Sequence, residues 1–468
     1  MLLVVTVVES RPAVSNASAA SSRPPARVVG GVAAVITASL YFVGAGRALD
    51  YDGSITTGLF VKHGSLLDVF RSVYAYNNQP YFSFVEHIVW SSGGRSEAWL
   101  RLVPVLAAAA VVGLLAAWST ARWGVVSGIA AGATLAANPM FAMLSRSVRG
   151  YSLMVLGCTV ATLIFADAHE RPESLTAARR AGYTIALGVA VGTQFYAVLV
   201  LGAHVAVLVA ERRFDRVWRR RVAAAIGIGA LPYLGMATAL VETSRGRKGT
   251  FLASFPTDAA REVLGHDAVA VVVFGALALF AFASVGWRRG LAPATVTIAV
   301  ALLAIWIVLH PLDLYPRFVV WLVPAVALAA AWAVSRRRVV AIAVAVGVVA
   351  MVLSQVGSWT RQPIASREIA QIVDQARAAG RVPCATGDNG EVLAAYTKAV
   401  ARVDTIGEVA GCDLLFGMPQ TSGPLLHSLA CQFTKRAVLG GTVKIVVLSQ
   451  PAPKDAGRSR AAVACAGS

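Results

Sequence analysis

The topology of this chain depends on residues 179–221, which read RRAGYTIALGVAVGTQFYAVLVLGAHVAVLVAERRFDRVWRRR. Arginines lie on both sides of an apolar run of about 28 residues, whereas one membrane-spanning helix needs about 20 residues. Positively charged segments stay on the cytoplasmic side of a membrane, so both arginine clusters are expected inside. The run must then cross the membrane twice. We predict two short helices joined by a bend near Gln194, Phe195 and Tyr196.

The composition of the whole chain is that of a membrane protein. Hydrophobic residues make up 57% of the 468 positions and charged residues 14%, and the mean hydropathy is +0.66. Soluble proteins are about 45–50% apolar and about 25% charged, so a set of soluble domains is excluded. The net charge of +18 could indicate nucleic-acid binding, but the basic residues lie between apolar runs rather than on a soluble surface. We expect no nucleic-acid partner.

Apolar runs long enough to cross a membrane recur along the chain. Besides the segment 183–210, which is predicted to cross twice, the candidate spans are 28–49, 99–121, 123–144, 150–168, 222–241, 268–287, 291–309, 318–334 and 339–359. The sequence therefore predicts an all-α polytopic membrane protein with about eleven transmembrane helices. Most of the excess positive charge lies in Arg blocks on the predicted inner side, at 212–221, 288–289 and 336–338. This pattern predicts a multi-pass protein of the plasma (inner) membrane, with the N-terminus cytoplasmic and the C-terminus outside.

The chain divides into three regions. Residues 1–27, rich in Ser, Ala, Pro and Arg, are expected to be a disordered cytoplasmic leader. Residues 28–358 are expected to form the transmembrane domain, which includes a long first outer loop at 50–98. Beyond residue 358 the sequence becomes soluble in character, with apolar residues at helical spacing and a strand pattern at 443–448. We predict a small extracytoplasmic α/β domain at 359–468.

Cysteine usage supports that placement of the tail. An even number of cysteines in an oxidising compartment indicates up to two disulfides, and the four in the tail leave three pairings open: Cys384, Cys412, Cys431 and Cys465. Their spacings match no zinc-binding pattern. The fifth, Cys158, lies in an apolar helix and is expected to be an ordinary buried residue.

Polar side chains gather at the predicted outer face rather than in the middle of the helices. They comprise Asp50, Asp52, Arg146, Arg149, Tyr151, Gln194, Tyr196, Arg245, Arg247, Lys248, Asp313, Tyr315 and Arg317. Coupled transporters need ionisable residues at mid-membrane, and this chain has almost no acids there. A carboxylate beside several cations suits an enzyme that deprotonates an alcohol while an anionic group departs. Phosphate on a lipid carrier is such a leaving group.

Seven short motifs, taken in order, resemble a known superfamily. They are LDYD (49–52), NNQPY (77–81), SEAWLRLVP (96–104), ANP (137–139), SRSVRGYSL (145–153), YPRF (315–318) and LVP (322–324). In order and spacing this resembles the GT-C glycosyltransferases that use polyprenyl-phosphate sugars, in the bacterial branch related to protein O-mannosyltransferases and to the lipopolysaccharide-core and aminoarabinose transferases. The resemblance covers about residues 30–340.

The resemblance implies a GT-C-like fold of many helices and an inverting transfer at the outer face. The donor would be a sugar on polyprenyl phosphate, mannose or arabinose, and the acceptor a cell-envelope molecule. Asp52 matches the first acid of the family's Asp-Glu pair, the candidate base. Gly53 stands where the family has the second acid, and Asp50 is the candidate for the missing carboxylate. A divalent metal, Mg²⁺ or Mn²⁺, stays open at this altered pair.

The resemblance also assigns residues to the substrate. Arg149 and Tyr151 match an Arg-x-Tyr motif, although Ser147 replaces an acid often found two residues before that Arg. Arg317 matches an Arg that contacts phosphate. We add to the candidate substrate-binding set the outer-face residues Tyr196, Gln194, Arg245, Arg247 and Lys248.

Each of these residues also has a purely structural interpretation. An Asp at a helix end can cap the helix, and an Arg at the membrane boundary commonly extends to phospholipid headgroups. His87 is expected to be a packed or interfacial histidine. Glu97 and Arg101, four residues apart, are expected to form an ion pair on a helix.

Two functions of other classes compete with a glycosyltransferase. A transporter or flippase for a lipid-linked sugar would share the outer basic residues, but it should show mid-membrane charges or paired halves. A non-catalytic envelope assembly protein would bind a partner through the external domain, and the missing second acid leaves that alternative open. All three would contact membrane lipids.

Overall fold

The computed structural model describes residues 23–62, 65–70, 78–238, 254–283, 315–359, 366–386, 393, 395–397, 401–403, 412–417, 433–439 and 445–451. Its α-helices are α1 (Arg23–Phe42), α2 (Tyr51–Ile55), α3 (Pro80–Ser91), α4 (Glu97–Leu100), α5 (Leu102–Trp123), α6 (Val125–Ala137), α7 (Pro139–Ser145), α8 (Tyr151–Glu170), α9 (Ala177–Thr193), α10 (Val198–Ala210), α11 (Arg216–Ala230), α12 (Phe255–Leu264), α13 (Ala268–Ala283), α14 (Val323–Arg336), α15 (Val340–Trp359) and α16 (Ser366–Ala378).

Short turns of other helix types join several of these elements. A π-helical segment, Thr56–Val61, continues α2 directly. The 3₁₀ segments are Asp68–Phe70, Pro172–Ser174, Phe195–Ala197, Leu231–Met236 and Pro316–Leu322.

Helix α5 is the central element of the helical part, where it packs against α1, α6 and α8. Its contact with α1 is a close approach of two backbones at Gly30 and Gly113. A Cβ atom at position 30 would lie 2.7 Å from the carbonyl oxygen of Gly113, so a larger residue would push the helices apart. Small residues at such crossings are typical of helices that pack within a membrane.

Four of the described helical segments are long and apolar enough to cross a membrane: Pro25–Phe42, Glu97–Trp123, Tyr151–Glu170 and Pro316–Arg336. The number rises to six if each of two bent helix pairs counts as one span, and Phe195–Ala210 and Val340–Val356 are shorter apolar helices. The expected eleven crossings remain a prediction. The predicted span at 291–309 lies outside the described residues.

Three boundaries within the helical part can be compared with the sequence expectations. The predicted break at Gln194 is observed, since α9 ends at Thr193 and α10 begins at Val198. Helix α1 is displaced from its predicted position: it begins at Arg23, inside the expected leader, and ends at Phe42, where a turn containing Gly44 at φ +73° follows. The expected span at 123–144 is not one straight helix, because α6 and α7 bend by 66° at Pro139; together they form either a broken span or a re-entrant loop.

The described part of the tail contains a five-stranded sheet of order β2-β1-β3-β5-β4. Its strands are β1 (Pro383–Thr386), β2 (Ala401–Val403), β3 (Leu414–Gly417), β4 (Phe433–Leu439) and β5 (Ile445–Pro451). Strand β1 is parallel to β2 and β3, whereas β5 is antiparallel to β3 and β4.

Helix α16 and the sheet share an apolar core. Ile369 and Val373 of the helix contact Ala385 of β1 and Phe416 of β3, and these side chains are almost fully buried. A disulfide between Cys384 and Cys412 links β1 to the residue two positions before β3. It is one of the three pairings that the sequence left open; Cys431 and Cys465 lie outside the described residues, and Cys158 is buried.

Candidate active site

The candidate site is built on the turn and short helix that follow α1. Asp50 is the N-cap of α2: its Oδ1 accepts a hydrogen bond of 2.6 Å from the Gly53 N–H. Gly53 fits this arrangement, because a Cβ atom there would lie only 2.6 Å from that same oxygen. Asp50, expected as the second carboxylate of the site, is therefore engaged in holding the first turn of α2.

Asp52 lies in the first turn of α2 and forms an ion pair with Arg317. The Arg317 Nη1 donates to the Asp52 Oδ2 at 2.6 Å, although the two residues are 265 positions apart. The Asp52 side chain is 21% exposed and that of Arg317 33%, so both partners are accessible at the edge of the helical part.

Aromatic rings surround the Arg317 guanidinium. It lies 4.8 Å from the Tyr315 ring centroid and 5.8 Å from that of Phe318. The Phe318 ring stacks on the ring of Tyr196 at 4.4 Å. The stack brings Tyr196, at the break between α9 and α10, to the side of Arg317.

Thr56 connects Asp52 to the second predicted arginine, Arg149. The Thr56 hydroxyl donates to the Asp52 carbonyl oxygen at 2.9 Å and accepts from the Arg149 Nη1 at 3.1 Å. Arg149 is 3% exposed, and its guanidinium lies 5.9 Å from the ring centroid of Tyr151. This corner of the molecule therefore holds a buried arginine and a partly exposed one, together with the carboxylate of Asp52.

Two buried polar atoms near the two arginines have no hydrogen-bond partner among the described residues. They are the hydroxyl of Tyr151 and the Nε of Arg317. Buried polar groups are costly to leave without a partner, and groups of this kind are typical of places where a ligand or water binds. Tyr151 lies within electrostatic range of Arg317.

Gln194 reaches the site through a second glutamine. The Gln79 Nε2 donates to the Gln194 Oε1 at 3.0 Å, and the Gln79 Oε1 accepts from the N–H of Gly150, between Arg149 and Tyr151. Gln79 was not among the predicted site residues. It lies in the NNQPY motif, so the motif marked the segment but not the side chain.

Three predicted substrate-binding residues cannot be placed. Arg245, Arg247 and Lys248 lie in 239–253, outside the described residues. The other predicted residues lie around Asp52: Asp50, Arg149, Tyr151, Gln194, Tyr196 and Arg317.

Arg101 has a different role from the expected ion pair with Glu97. Its guanidinium is buried and donates to the carbonyl oxygens of Ala45, Arg47 and Ala48, in the turn that leads to Asp50. Its Nε donates to the Arg146 carbonyl oxygen at 2.9 Å. Helical spacing predicted a partner on the same helix. Because the Arg101 guanidinium is buried, its N–H groups need hydrogen-bond acceptors, and carbonyl oxygens distant in sequence provide them.

Helix α3 carries a buried acid that the sequence analysis missed. Glu86 is fully buried, and neither carboxylate oxygen has a hydrogen-bond partner among the described residues. Desolvation by burial raises its pKa well above the ordinary range. The adjacent His87 is a packed residue as expected, with Nδ1 2.8 Å from the Val61 carbonyl oxygen and Nε2 3.2 Å from the Ser91 hydroxyl.

The donor set does not fit a divalent metal. Within the described ranges, no three His, Cys, Asp or Glu side chains come together. Asp52 faces a guanidinium, and Asp50 caps a helix. Mg²⁺ and Mn²⁺ prefer several oxygen ligands, so we derive no step through a metal.

Comparisons with known proteins bear on the fold. The sequence matches no protein-family model and no curated protein. Two solved structures of ArnT from Cupriavidus metallidurans, one bound to undecaprenyl phosphate and one in the apo state, each superpose with a TM-score of 0.59 at 15% sequence identity. Each match covers 90% of this chain and 99% of the ArnT chain. The chain therefore has the fold of ArnT, and the fold of many helices implied by the sequence motifs is confirmed.

Proposed function

We propose that this protein is a membrane glycosyltransferase that moves a sugar from a polyprenyl-phosphate donor to a cell-envelope acceptor. Its multi-pass helices would lie in the plasma (inner) membrane, with the site at the outer face. The fold shared with ArnT, one structure of which contains undecaprenyl phosphate, supports a lipid phosphate as the ligand. The sugar would be mannose or arabinose, and the acceptor a glycan, lipid or protein of the envelope.

One observation carries this proposal: a carboxylate and two arginines from three distant segments of the chain meet at one place. Asp52, Arg149 and Arg317 are linked by direct hydrogen bonds or through Thr56. Neutralising a leaving phosphate requires positive charge that is already positioned, and accepting a proton requires a carboxylate within reach of the attacking hydroxyl. The site offers both.

The reaction would proceed by a single displacement. The acceptor hydroxyl oxygen attacks the anomeric carbon, the bond from that carbon to the phosphate oxygen breaks, and the configuration inverts. The hydroxyl proton passes to the Asp52 carboxylate, and polyprenyl phosphate departs as an anion. Arg317 and Arg149 stabilise the charge that develops on the phosphate.

The Arg317 guanidinium can bind Asp52 and a donor phosphate at the same time. One nitrogen, Nη1, bonds Asp52, whereas Nε is buried and has no hydrogen-bond partner in the described part of the chain. A guanidinium has five N–H donors, so Arg317 can contact a phosphate oxygen while it still orients Asp52. Tyr151 offers a further hydroxyl donor beside the arginines.

The test is transfer from radiolabelled polyprenyl-phosphate mannose or arabinose to envelope acceptors by purified protein. Asp52→Asn should lower kcat at least about 100-fold by removing the base. The matched control is Asp215→Asn, because Asp215 caps α11 and Asn caps a helix equally well. Undiminished transfer by Asp52→Asn would contradict the catalytic role.

A second pair of variants tests the phosphate contact. Arg317→Ala should lower kcat about 100-fold, in the range lost when one charge-stabilising donor is removed. Arg336→Ala is the control, because Arg336 lies at the other end of the same apolar span and also stacks on an aromatic ring, that of Trp332. Lipid movement without transfer would favour a flippase, and no transfer with any donor would favour an assembly protein.

A further inference from the structure

The turn between α1 and Asp50 is held from the side of the helical part by two arginines. Arg101 donates to the carbonyl oxygens of Arg47 at 2.7 Å and Ala48 at 3.0 Å. Arg146 donates to the Val43 carbonyl oxygen at 2.6 Å. Hydrogen bonds from charged donors are among the stronger ones in proteins, so this face of the turn is firmly fixed.

The C-terminal tail contacts the same turn through Tyr396. The Leu49 N–H, one residue before Asp50, donates to the Tyr396 hydroxyl at 2.6 Å. Ala395 and the Tyr396 ring pack in an apolar cluster with Leu49 and Val148. The 395–397 segment is itself tied to α16, because the Thr397 hydroxyl accepts from Arg377 at 3.0 Å and donates to Asp374.

A second tail contact lies on the other side of Asp50. Tyr51 packs against the core between α16 and the sheet, as does Ile372. The tail thus contacts residues 49 and 51, which flank the cap residue of α2. Asp50 in turn sets the first turn of that helix, where Asp52 meets Arg317.

We propose that Tyr396 is a positioning residue of the membrane site, through which the C-terminal tail fixes the turn that carries Asp50 and Asp52. The proposal rests on the proposed transferase function. The tail carries none of the sequence motifs of the superfamily, so this contact adds a role for a region with no assigned one. Tyr396 does not touch substrate. It removes freedom from the backbone on which the base is carried, and so it affects turnover more than donor binding.

The test compares Tyr396→Phe with wild type in the full-length protein. The change removes the hydroxyl that accepts from the Leu49 N–H and keeps the ring for its cluster. Hydrogen exchange in peptides that cover residues 45–55 should become about fivefold faster, in line with the loss of one hydrogen bond. With labelled polyprenyl-phosphate sugar, kcat should fall about fivefold, while KM for the donor stays unchanged.

The control is Tyr183→Phe, which also removes a buried tyrosine hydroxyl, one that lies 3.1 Å from the Nδ1 of His204 near the start of α9. It should leave both exchange at 45–55 and kcat as in wild type. If Tyr396→Phe fails to fold, Thr397→Val is the second variant: it keeps the side-chain shape but removes the hydroxyl that ties the 395–397 segment to Arg377 and Asp374, and it should change exchange and kcat in the same direction.

The two proposals fail separately. Unchanged exchange at 45–55, or exchange that rises equally throughout the chain, overturns the positioning role. Faster exchange at 45–55 with kcat unchanged overturns it as well. Faster local exchange supports the contact even where the wild type transfers no sugar, and in that case only the transferase function is contradicted.

Discussion

Asp50 and Gly53 show how one local constraint changes the meaning of a motif. The superfamily motif has an acid at the position of Gly53, and Asp50 was expected to replace it. In the structure, the Asp50 Oδ1 occupies the space that a side chain at 53 would need. Gly53 and the Asp50 cap therefore depend on each other. Of the two carboxylates, Asp50 and Asp52, it is Asp52 that forms the ion pair with an arginine.

The cap interpretation makes a prediction for Asp50. Asn accepts the Gly53 N–H as well as Asp does, so Asp50→Asn should keep both stability and transfer. Asp50→Ala loses the acceptor and should cost about 1 kcal/mol of stability and lower kcat as α2 frays. Thermal unfolding and transferase assays of both variants measure this. A loss of transfer in Asp50→Asn equal to that in Asp52→Asn would restore Asp50 as a catalytic carboxylate.

Glu86 is the clearest polar residue that the sequence did not reveal. It lies in an aromatic-rich segment of the predicted first outer loop, 50–98. Burial rather than sequence context determines its state: with its pKa well above the ordinary carboxyl value, the folded protein holds Glu86 protonated at a pH where the unfolded chain ionises it.

Stability should consequently depend on pH through Glu86. The folded state binds this proton more tightly than the unfolded state, so its contribution is complete below the ordinary carboxyl pKa and is lost as the pH rises. Glu86→Gln keeps the shape without ionising. The Tm of the variant should exceed that of wild type by an amount that grows as the pH rises above about 4.5. A Tm difference that is constant with pH would show that Glu86 is ionised when folded.

Two helix breaks illustrate what sequence can predict at the level of elements. The break at Gln194 followed from charge. Arginines on both sides of a 28-residue run (183–210) are expected on the cytoplasmic side, so the run must cross the membrane and return. The bend at Asn138–Pro139 was missed because the run 123–144 has the length of a single span. Proline lacks the N–H and disfavours a helical residue before it, so the signal was present.

Asn138 should be the residue that stabilises this bend. Its Oδ1 caps α7 by accepting from the Phe141 N–H at 2.9 Å, and its Nδ2 donates to the Val263 carbonyl oxygen at 3.0 Å in α12. Asn138→Ala removes both bonds and should lower stability by about 2 kcal/mol. Thermal unfolding measures the loss. Gln355→Ala, which removes a donor to the neighbouring Ala137 carbonyl oxygen, is a control that leaves the cap intact.

Across the whole molecule, the motifs predicted which segments form the site but not which atoms meet. Asp52 and Arg317 were both predicted, in separate roles, and their ion pair depends on how the helices pack. Arg101 and Gln79 belong to quoted motifs too, yet their long-range partners could not be inferred from spacing. Sequence spacing reports neighbours on one element, whereas partners from distant elements are fixed only by the fold.

Helices α5, α8 and α9 each have one end at the site and the other at a second charged cluster. Asp167 accepts from Arg122 at 2.6 Å and from Arg179 at 2.8 Å, which joins the far ends of these three helices. Tyr151 and Asp167 mark the two ends of α8, about 24 Å apart at 1.5 Å per residue. Among the described residues, these two groups of paired charge therefore lie at opposite ends of the helical part.

These two ends make the predicted orientation testable without any substrate. Ser92, at the end of α3, and Arg219, in α11, are both exposed. A membrane-impermeant maleimide applied to intact cells should label Ser92→Cys, because that residue belongs to the predicted outer loop. Arg219→Cys should react only after the membrane is opened, because its arginine block is predicted to be cytoplasmic. The wild-type chain corrects for reaction at native cysteines. Labelling of Arg219→Cys but not Ser92→Cys in intact cells would invert the topology and move the Asp52 site to the cytoplasmic face, where an outer-face transferase could not work.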